Sequence, residues 1–279
     1  MVRVALLQMT TGIDPADNAA TIARAVAEAA AGGAAMLFTP EMCGLLDRDR
    51  ARARPHIVAE RANPVLAAAR AAARAHGVWV SLGSLAVAGD RADDARNANR
   101  AFIIDAGGEI RARYDKIHMF DVQLTSGEVW RESAAYAPGE GAVMVATPLG
   151  RLGLAVCYDL RFPALFSALG GSDAIQIPAA FTVPTGAAHW HVLQRARAIE
   201  ASAFVISAAQ VGRHADGRET YGHSLVIDPW GEILLDMGGT APGLGFAEID
   251  PARIAAVRGQ VPSLANRRPV APCQAGVDA

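Results

Sequence analysis

Short apolar runs alternate with longer stretches in which apolar residues recur every third or fourth position, and this continues from residue 2 to residue 257. The short runs, rich in Val, Ile, Leu and Phe, predict strands over 2–8, 35–39, 78–84, 101–105, 142–146, 152–156, 174–177, 204–210, 224–228 and 243–248. Helical spacing predicts long helices over 16–31, 63–76 and 187–202 and a shorter one over 251–257. Asn63 followed by Pro64 supplies a cap and a first helical residue for the second of these. Alternation of this kind specifies a layered α/β chain without an obvious linker. It admits a doubly wound sheet, a barrel or a two-sheet sandwich.

Three of the apolar runs end in groups that can do chemistry. Ala35-Met-Leu-Phe-Thr-Pro40 leads into Glu41, a strand-like stretch through Arg113-Tyr-Asp ends at Lys116, and Gly153-Leu-Ala-Val ends at Cys157. After Cys157 the pattern turns helical, and a thiol at a helix start feels the positive end of the backbone dipole, which favours thiolate. Reactive groups gather where strands of an α/β sheet give way to loops, so a thiol, a carboxylate and an ammonium can converge from distant positions. From residue type alone a buried cysteine and a surface lysine are the commoner outcomes.

With 279 residues, 52% of them hydrophobic, the chain can bury a large core as one big domain or two small ones. A formal net charge of −2 argues against a dedicated nucleic-acid or anionic-membrane binder and suits a small neutral or anionic substrate. The one dense basic stretch, Arg48-Asp-Arg50-Ala-Arg52-Ala-Arg54, continues to Arg61, Arg70 and Arg74 and reads as the solvated face of helical segments. No apolar run approaches the ~20 residues needed to cross a bilayer. Three widely spaced cysteines, Cys43, Cys157 and Cys273, without a leader sequence, point to reduced thiols and a cytoplasmic location. His118, His189, His191 and His223 lack zinc-ligand spacing, so the expectation is no metal, with these histidines in supporting or core positions. Gly107-Gly108 and Gly238-Gly239 read as turns, since neither opens a phosphate-binding helix.

The residues around the three strand ends resemble the nitrilase superfamily of carbon-nitrogen hydrolases, which carry a Glu-Lys-Cys triad in that order. Tyr114-Asp-Lys116-Ile-His118-Met-Phe120-Asp121 and Cys157-Tyr-Asp-Leu-Arg161-Phe-Pro163 are particularly similar. So are Thr185-Gly-Ala-Ala-His189-Trp190, Arg195-Ala-Arg197-Ala-Ile-Glu200 and Tyr221-Gly-His223-Ser-Leu-Val-Ile-Asp-Pro-Trp230-Gly231. The likeness runs from Val4-Ala-Leu-Leu-Gln8 to Arg267-Arg268-Pro269 and points to the Nit branch.

The resemblance implies a four-layer α-β-β-α sandwich in one domain over 1–279, with an extended C-terminal tail from about residue 260 that Pro262, Pro269 and Pro272 suit. It implies a homodimer or higher homo-oligomer and no cofactor. Its catalytic set maps onto Glu41, Lys116, Cys157 and a second acid, Glu132, chosen over the neighbouring Glu128 and Glu140. Substrate contacts map onto Tyr158, whose N–H faces the oxyanion with Lys116, and onto Phe181 and Thr185. Arg161 either grips a substrate carboxylate or braces the turn through Asp159. The implied reaction is hydrolysis of the terminal amide of a small carboxylated substrate, releasing ammonia through a Cys157 thioester, with deaminated glutathione the favoured compound. Alternatives are an omega-amidase acting on 2-oxoglutaramate-type substrates, an N-carbamoyl hydrolase, a nitrile hydrolase, and a catalytically silent metabolite-binding dimer. The chain departs from the family pattern at Ala164, where a glutamate is common, and at Cys43, a second thiol near Glu41 that reads as buried and inert.

Overall fold

The computed structural model describes residues 1–271 apart from 124–126 and 128. Pro272, Cys273 and Glu128 lie outside the described residues. Five strands, β1 (Val2–Gln8), β2 (Met36–Phe38), β3 (Trp79–Val87), β4 (Ala98–Ile104) and β5 (Ile110–Asp115), build most of a first sheet. A ribbon of β6 (Asp121–Gln123) and β7 (Val129–Arg131) leads to a second sheet of β8 (Val143–Thr147), β9 (Gly150–Leu154), β10 (Ala174–Gln176) and β11 (Phe204–Ser207). A second ribbon, β12 (Val211–Arg213) with β13 (Glu219–Tyr221), precedes β14 (Leu225–Ile227) and β15 (Ile233–Asp236), which complete that sheet. Finally β16 (Gly243–Ile249) returns to the edge of the first.

The two sheets share one plan, β16-β1-β2-β3-β4-β5 and β15-β14-β11-β10-β9-β8. In each, three consecutive strands of the interior run parallel, β1-β2-β3 and β9-β10-β11, and the strands outside them pair antiparallel. Parallel strands are buried on both faces, which is why they read as nearly continuous apolar runs. Alternation along each strand then divides the core. Val4, Leu6, Met36, Phe38, Ala101 and Ile103 meet Leu152, Leu154, Ile175 and Phe204 of the other sheet in one cluster. Their neighbours Ala5, Leu7, Leu37 and Phe102 point the opposite way, onto Ile22, Val26 and Leu66.

Those last residues belong to two of the six α-helices among the described residues, α1 (Pro15–Ala31) and α3 (Pro64–His76), with the short α2 (Arg50–Ala53) between them. On the far side of the second sheet lie α4 (Pro163–Ala168) and α5 (Val183–Ala201), and α6 (Pro251–Gln260) follows β16. The result is the four-layer α-β-β-α sandwich that the resemblance implies. Asn63 caps α3 by accepting from the amides of Val65 and Leu66 at 3.0 and 3.1 Å, and Pro64 opens it, as the sequence predicts.

Several elements differ from expectation. β11 stops at Ser207, and α5 begins at Val183 because Pro184 fits the first helical turn, where a missing N–H costs nothing. β15 and both ribbons have no counterpart among the predicted strands, and β5 corresponds only to the strand-like stretch that ends at Lys116. β5 and β15 lie at sheet edges, and solvent-facing residues such as Arg111 and Arg113 interrupt their apolar pattern. Beyond α6, residues 261–271 form turns and irregular backbone.

Gly83 lies against the strand end that carries Glu41. A Cβ built there would overlap the carbonyls of Thr39 and Pro40 and meet the Pro178 ring. Gly83→Ala is therefore expected to cost about 2–3 kcal/mol of stability by overpacking, measured by urea denaturation, and to weaken activity by displacing Glu41.

Candidate active site

Strand ends from both sheets converge on one cavity of about 880 Å³. Glu41 follows β2 through Thr39-Pro40, Lys116 directly follows β5, Cys157 follows β9 through Ala155-Val156, and Ala180 and Phe181 follow β10. Glu132 opens a single 3-10 turn after β7. All four residues of the expected catalytic set line the cavity. Their side chains are nearly dry: Lys116 is 2% exposed, Glu41 6% and Glu132 13%.

Lys116 Nζ sits between two carboxylates, 3.0 Å from Glu41 Oε1, and 2.8 and 3.0 Å from the two oxygens of Glu132. Asn99, fully buried on β4, donates its amide to the same Oε1 atoms of Glu41 and Glu132 at 3.0 and 3.1 Å. The amide of Ala180 donates to Glu41 Oε2 at 3.0 Å, and that of Phe120 donates to Glu132 Oε2 at 2.6 Å. Burial opposes the charge on Lys116, but Glu132, Glu41 and the sulfur of Cys157 outweigh it and hold its pKa well above the usual lysine value.

Cys157 has a left-handed backbone, φ +52°, and its amide donates to the Pro178 carbonyl at 2.9 Å. A non-glycine residue in that region costs of order 1 kcal/mol or more and here aims the thiol across the cavity floor. The Glu41 carboxylate faces the thiol closely enough to act on its ionisation. This overturns the expectation of a helix-stabilised thiolate. Burial and then the Glu41 carboxylate push the thiol pKa well above its ordinary value, against the opposing pull of Lys116, which favours the neutral thiol at rest. Cys43, by contrast, is fully buried, accepts from the Thr39 hydroxyl at 3.3 Å, and has its pKa pushed up by burial to about 11.

Asp159, not Arg161, ties the turn together. Its carboxylate accepts from the Tyr114 hydroxyl at 2.7 Å and the Val156 and His118 amides at 2.9 and 3.0 Å, and it meets His118 Nδ1 at 2.7 Å. Tyr158, Phe181 and Thr185 line the cavity as expected. Arg161 stands outside the lining, its guanidinium over the Tyr158 and Phe181 rings at 5.8 and 5.5 Å and 3.2 Å from His189 Nδ1.

Other lining residues go unforeseen in the sequence. Arg48, Arg50 and Arg54, read there as a solvated helical face, border the cavity together with Trp130, Arg131 and Arg218. Asn99 is also missed, although a polar residue interrupting an apolar strand is the signal that could have found it. Among the described residues, His191, His223 and Asp236 form a cluster with ligand atoms within 4.8 Å of one another, outside the cavity lining. Asp236 Oδ1 lies 2.9 Å from His223 Nδ1, and Oδ2 lies 3.1 Å from His191 Nε2. The cluster forms because α5 and the end of β15 are adjacent, which residue spacing along the chain does not reveal.

The profile of the carbon-nitrogen hydrolase family matches residues 3–259. The chain is 41% identical over 269 residues to a deaminated glutathione amidase of Yersinia enterocolitica, covering 95% of this chain and 92% of that one. In structure it resembles the NitFhit protein of C. elegans, with a TM-score of 0.86 and 34% identity, over 96% of this chain and 65% of that longer protein. It also resembles Nit3 of Saccharomyces cerevisiae, a member of branch 10 of the nitrilase superfamily, with a TM-score of 0.82 and 26% identity over 94% of both chains.

Proposed function

The chain belongs to the carbon-nitrogen hydrolase family, and on that premise we propose that it is a Glu-Lys-Cys amidase acting on deaminated glutathione through a Cys157 thioester. The observation that carries the reading is the hydrogen-bonding of Glu41. Lys116 and Asn99 hold one carboxylate oxygen and Ala180 N–H holds the other, and Cys157 lines the same cavity. A carboxylate so fixed is placed to take a proton, return it and take another.

The steps follow from that geometry. Glu41 accepts the thiol proton as the sulfur attacks the amide carbon, and the carbonyl oxygen gains negative charge beside the Lys116 ammonium and the Tyr158 N–H. The protonated Glu41 then gives its proton to the departing nitrogen, and the C–N bond breaks to leave a thioester. Glu41 next removes a proton from water, the hydroxide adds to the thioester carbon, and the C–S bond breaks with the proton returned to sulfur. Glu132 holds the ammonium in place throughout, with Asn99 linking the two acids. No step needs a metal or an organic cofactor.

Deaminated glutathione carries its scissile amide inside the molecule, so the amine released is cysteinylglycine, and the acid is 2-oxoglutarate. Ammonia leaves only when the substrate is a primary amide such as 2-oxoglutaramate, or a carbamoyl compound. Incubating the full chain separately with these three and identifying the products therefore separates the readings. We expect cysteinylglycine release from deaminated glutathione to have the highest kcat/KM, and absence of hydrolysis of all three would overturn the amidase assignment.

A second copy of this chain is the proposed partner. Val192 and Ile199 on α5 are exposed apolar residues, as are Trp230, Ile233 and Leu234. Ile199 abuts the turn at Gly231, which makes the α5 residues and Trp230 neighbours. No helix among the described residues is long and apolar enough to cross a membrane. A cytoplasmic setting is proposed with this reading because Cys43 and Cys157 are free thiols.

A further inference from the structure

We propose that the outer cavity is a carboxylate-binding subsite, built by Arg50, Arg54 and Arg131 beside Arg218, which receives the free carboxylate on the amine half of the substrate. The inference rests on the amidase reading and names the substrate class for it: amides whose leaving amine is peptide-like and ends in a carboxylate.

The charge balance of the lining is the starting point. Beyond the catalytic set, the charged residues lining the cavity among the described residues are Arg48, Arg50, Arg54, Arg131 and Arg218 and one acid, Asp47. Asp47 is already engaged by Arg52, which donates Nε and Nη2 to its two oxygens at 2.6 and 2.8 Å. Arg218 is paired with Asp216 at 2.7 Å. Among the described residues, no carboxylate lies within ion-pair reach of Arg50, Arg54 or Arg131. Arg50 Nη2 donates instead to the Arg131 carbonyl at 3.0 Å, and Arg131 Nη1 to the Trp130 carbonyl at 3.3 Å. Like charges gathered around a concave surface raise the local potential and favour an anion there.

Local structure explains why these side chains gather. Asp49 caps α2 by accepting from the amides of Ala51 and Arg52, which fixes the register of the short turn. Residues four apart share a face, so Arg50 and Arg54 both border the cavity while Arg52 turns back to Asp47. Trp130 is flanked by the guanidiniums of Arg48 and Arg218, 4.4 and 5.2 Å from its ring centroid, and is an aromatic wall of the same region.

The ligand chemistry follows. Guanidinium forks bind carboxylates bidentately. A short primary amide fills little of a cavity of about 880 Å³ and has no carboxylate on its nitrogen side. An amide of cysteinylglycine has both the length and, at its glycine end, the charge. The arginines thus select the leaving amine, while the catalytic groups act on the acyl carbon.

Binding to the full-length Cys157→Ala protein tests this without turnover, using calorimetry with deaminated glutathione and with its C-terminal glycinamide, which differs only in lacking that carboxylate. We expect the glycinamide to bind about tenfold more weakly, and Arg50→Ala/Arg54→Ala to weaken the acid about tenfold while leaving the glycinamide within about twofold. Equal binding of acid and glycinamide, equal losses for both on removing the arginines, or no binding of either would overturn the subsite. The first comparison needs no arginine substitution, so it stands even if the double variant folds poorly. Turnover of deaminated glutathione by the unmutated protein is read separately, so failure of hydrolysis with carboxylate-dependent binding retained would remove the amidase reading and keep the subsite.

Discussion

Glu41→Gln should lower amide hydrolysis by about 100- to 10,000-fold, because the proposed mechanism uses one carboxylate as base, acid and base again in successive steps. The substitution preserves shape but not hydrogen-bonding sense. Glu41 accepts from Lys116 and Asn99 on one oxygen and from Ala180 N–H on the other. A glutamine can accept on only one side, so its NH2 must face a donor, at a cost of about 1–3 kcal/mol that a thermal melt would register. The fold survives that cost, since Lys116 keeps Glu132.

The same variant reports on the thiol. Burial and the Glu41 carboxylate both raise the Cys157 pKa, and Lys116 lowers it. Removing the carboxylate leaves burial opposed by the ammonium, so the pKa falls and thiolate forms at lower pH than in the unmutated protein. Ultraviolet thiolate absorbance, corrected with Cys157→Ala, measures this directly, and Cys43 stays silent until its pKa of about 11. Activity within tenfold of normal, or thiolate appearing at the same pH in both proteins, would show that Glu41 is neither the base nor the group that holds the proton on sulfur.

Glu41, Lys116 and Cys157 were legible because each ends an apolar run, and a strand's direction commits the residue after it to the rim of the sheet. The helices α1 and α3 were legible from their spacing and, for α3, from Asn63-Pro64. What escaped was everything decided by the meeting of distant segments. Nothing local distinguishes Arg50 and Arg54, which border the cavity, from Arg70 and Arg74, which hold the Gly108 and Gly107 carbonyls of the β4–β5 turn. The ionisation of Cys157 escaped for the same reason. The local signal, a helix start, favours thiolate, but burial, and then a carboxylate delivered from the other sheet, reverse it. Asn99 sits in β4 as a fully buried polar residue, and its purpose emerges only with two acids packed against it.

Lys116→Met should damage both function and stability. With the ammonium gone, the developing oxyanion keeps only the Tyr158 N–H, and hydrolysis is expected to fall by about 100- to 1,000-fold. The stability loss should reach about 3–5 kcal/mol, because Glu41 and Glu132 are left buried and linked only by Asn99 and main-chain donors. The pH dependence separates this from a simple packing defect. In the unmutated protein the folded-state pKa of Lys116 is raised, so its stabilisation is fully present below the unfolded lysine value of about 10.5 and disappears only as pH climbs past the raised one. Through the neutral range it is therefore constant. In Lys116→Met the two carboxylates oppose each other's ionisation, so the folded variant takes up a proton that the unfolded chain releases, and its stability falls as pH rises from about 5 to about 8. Urea midpoints measured across that range for both proteins would show the variant sloping downward where the unmutated protein gains no slope from this site. A variant whose deficit is the same at every pH would mean that Lys116 contributes packing rather than charge.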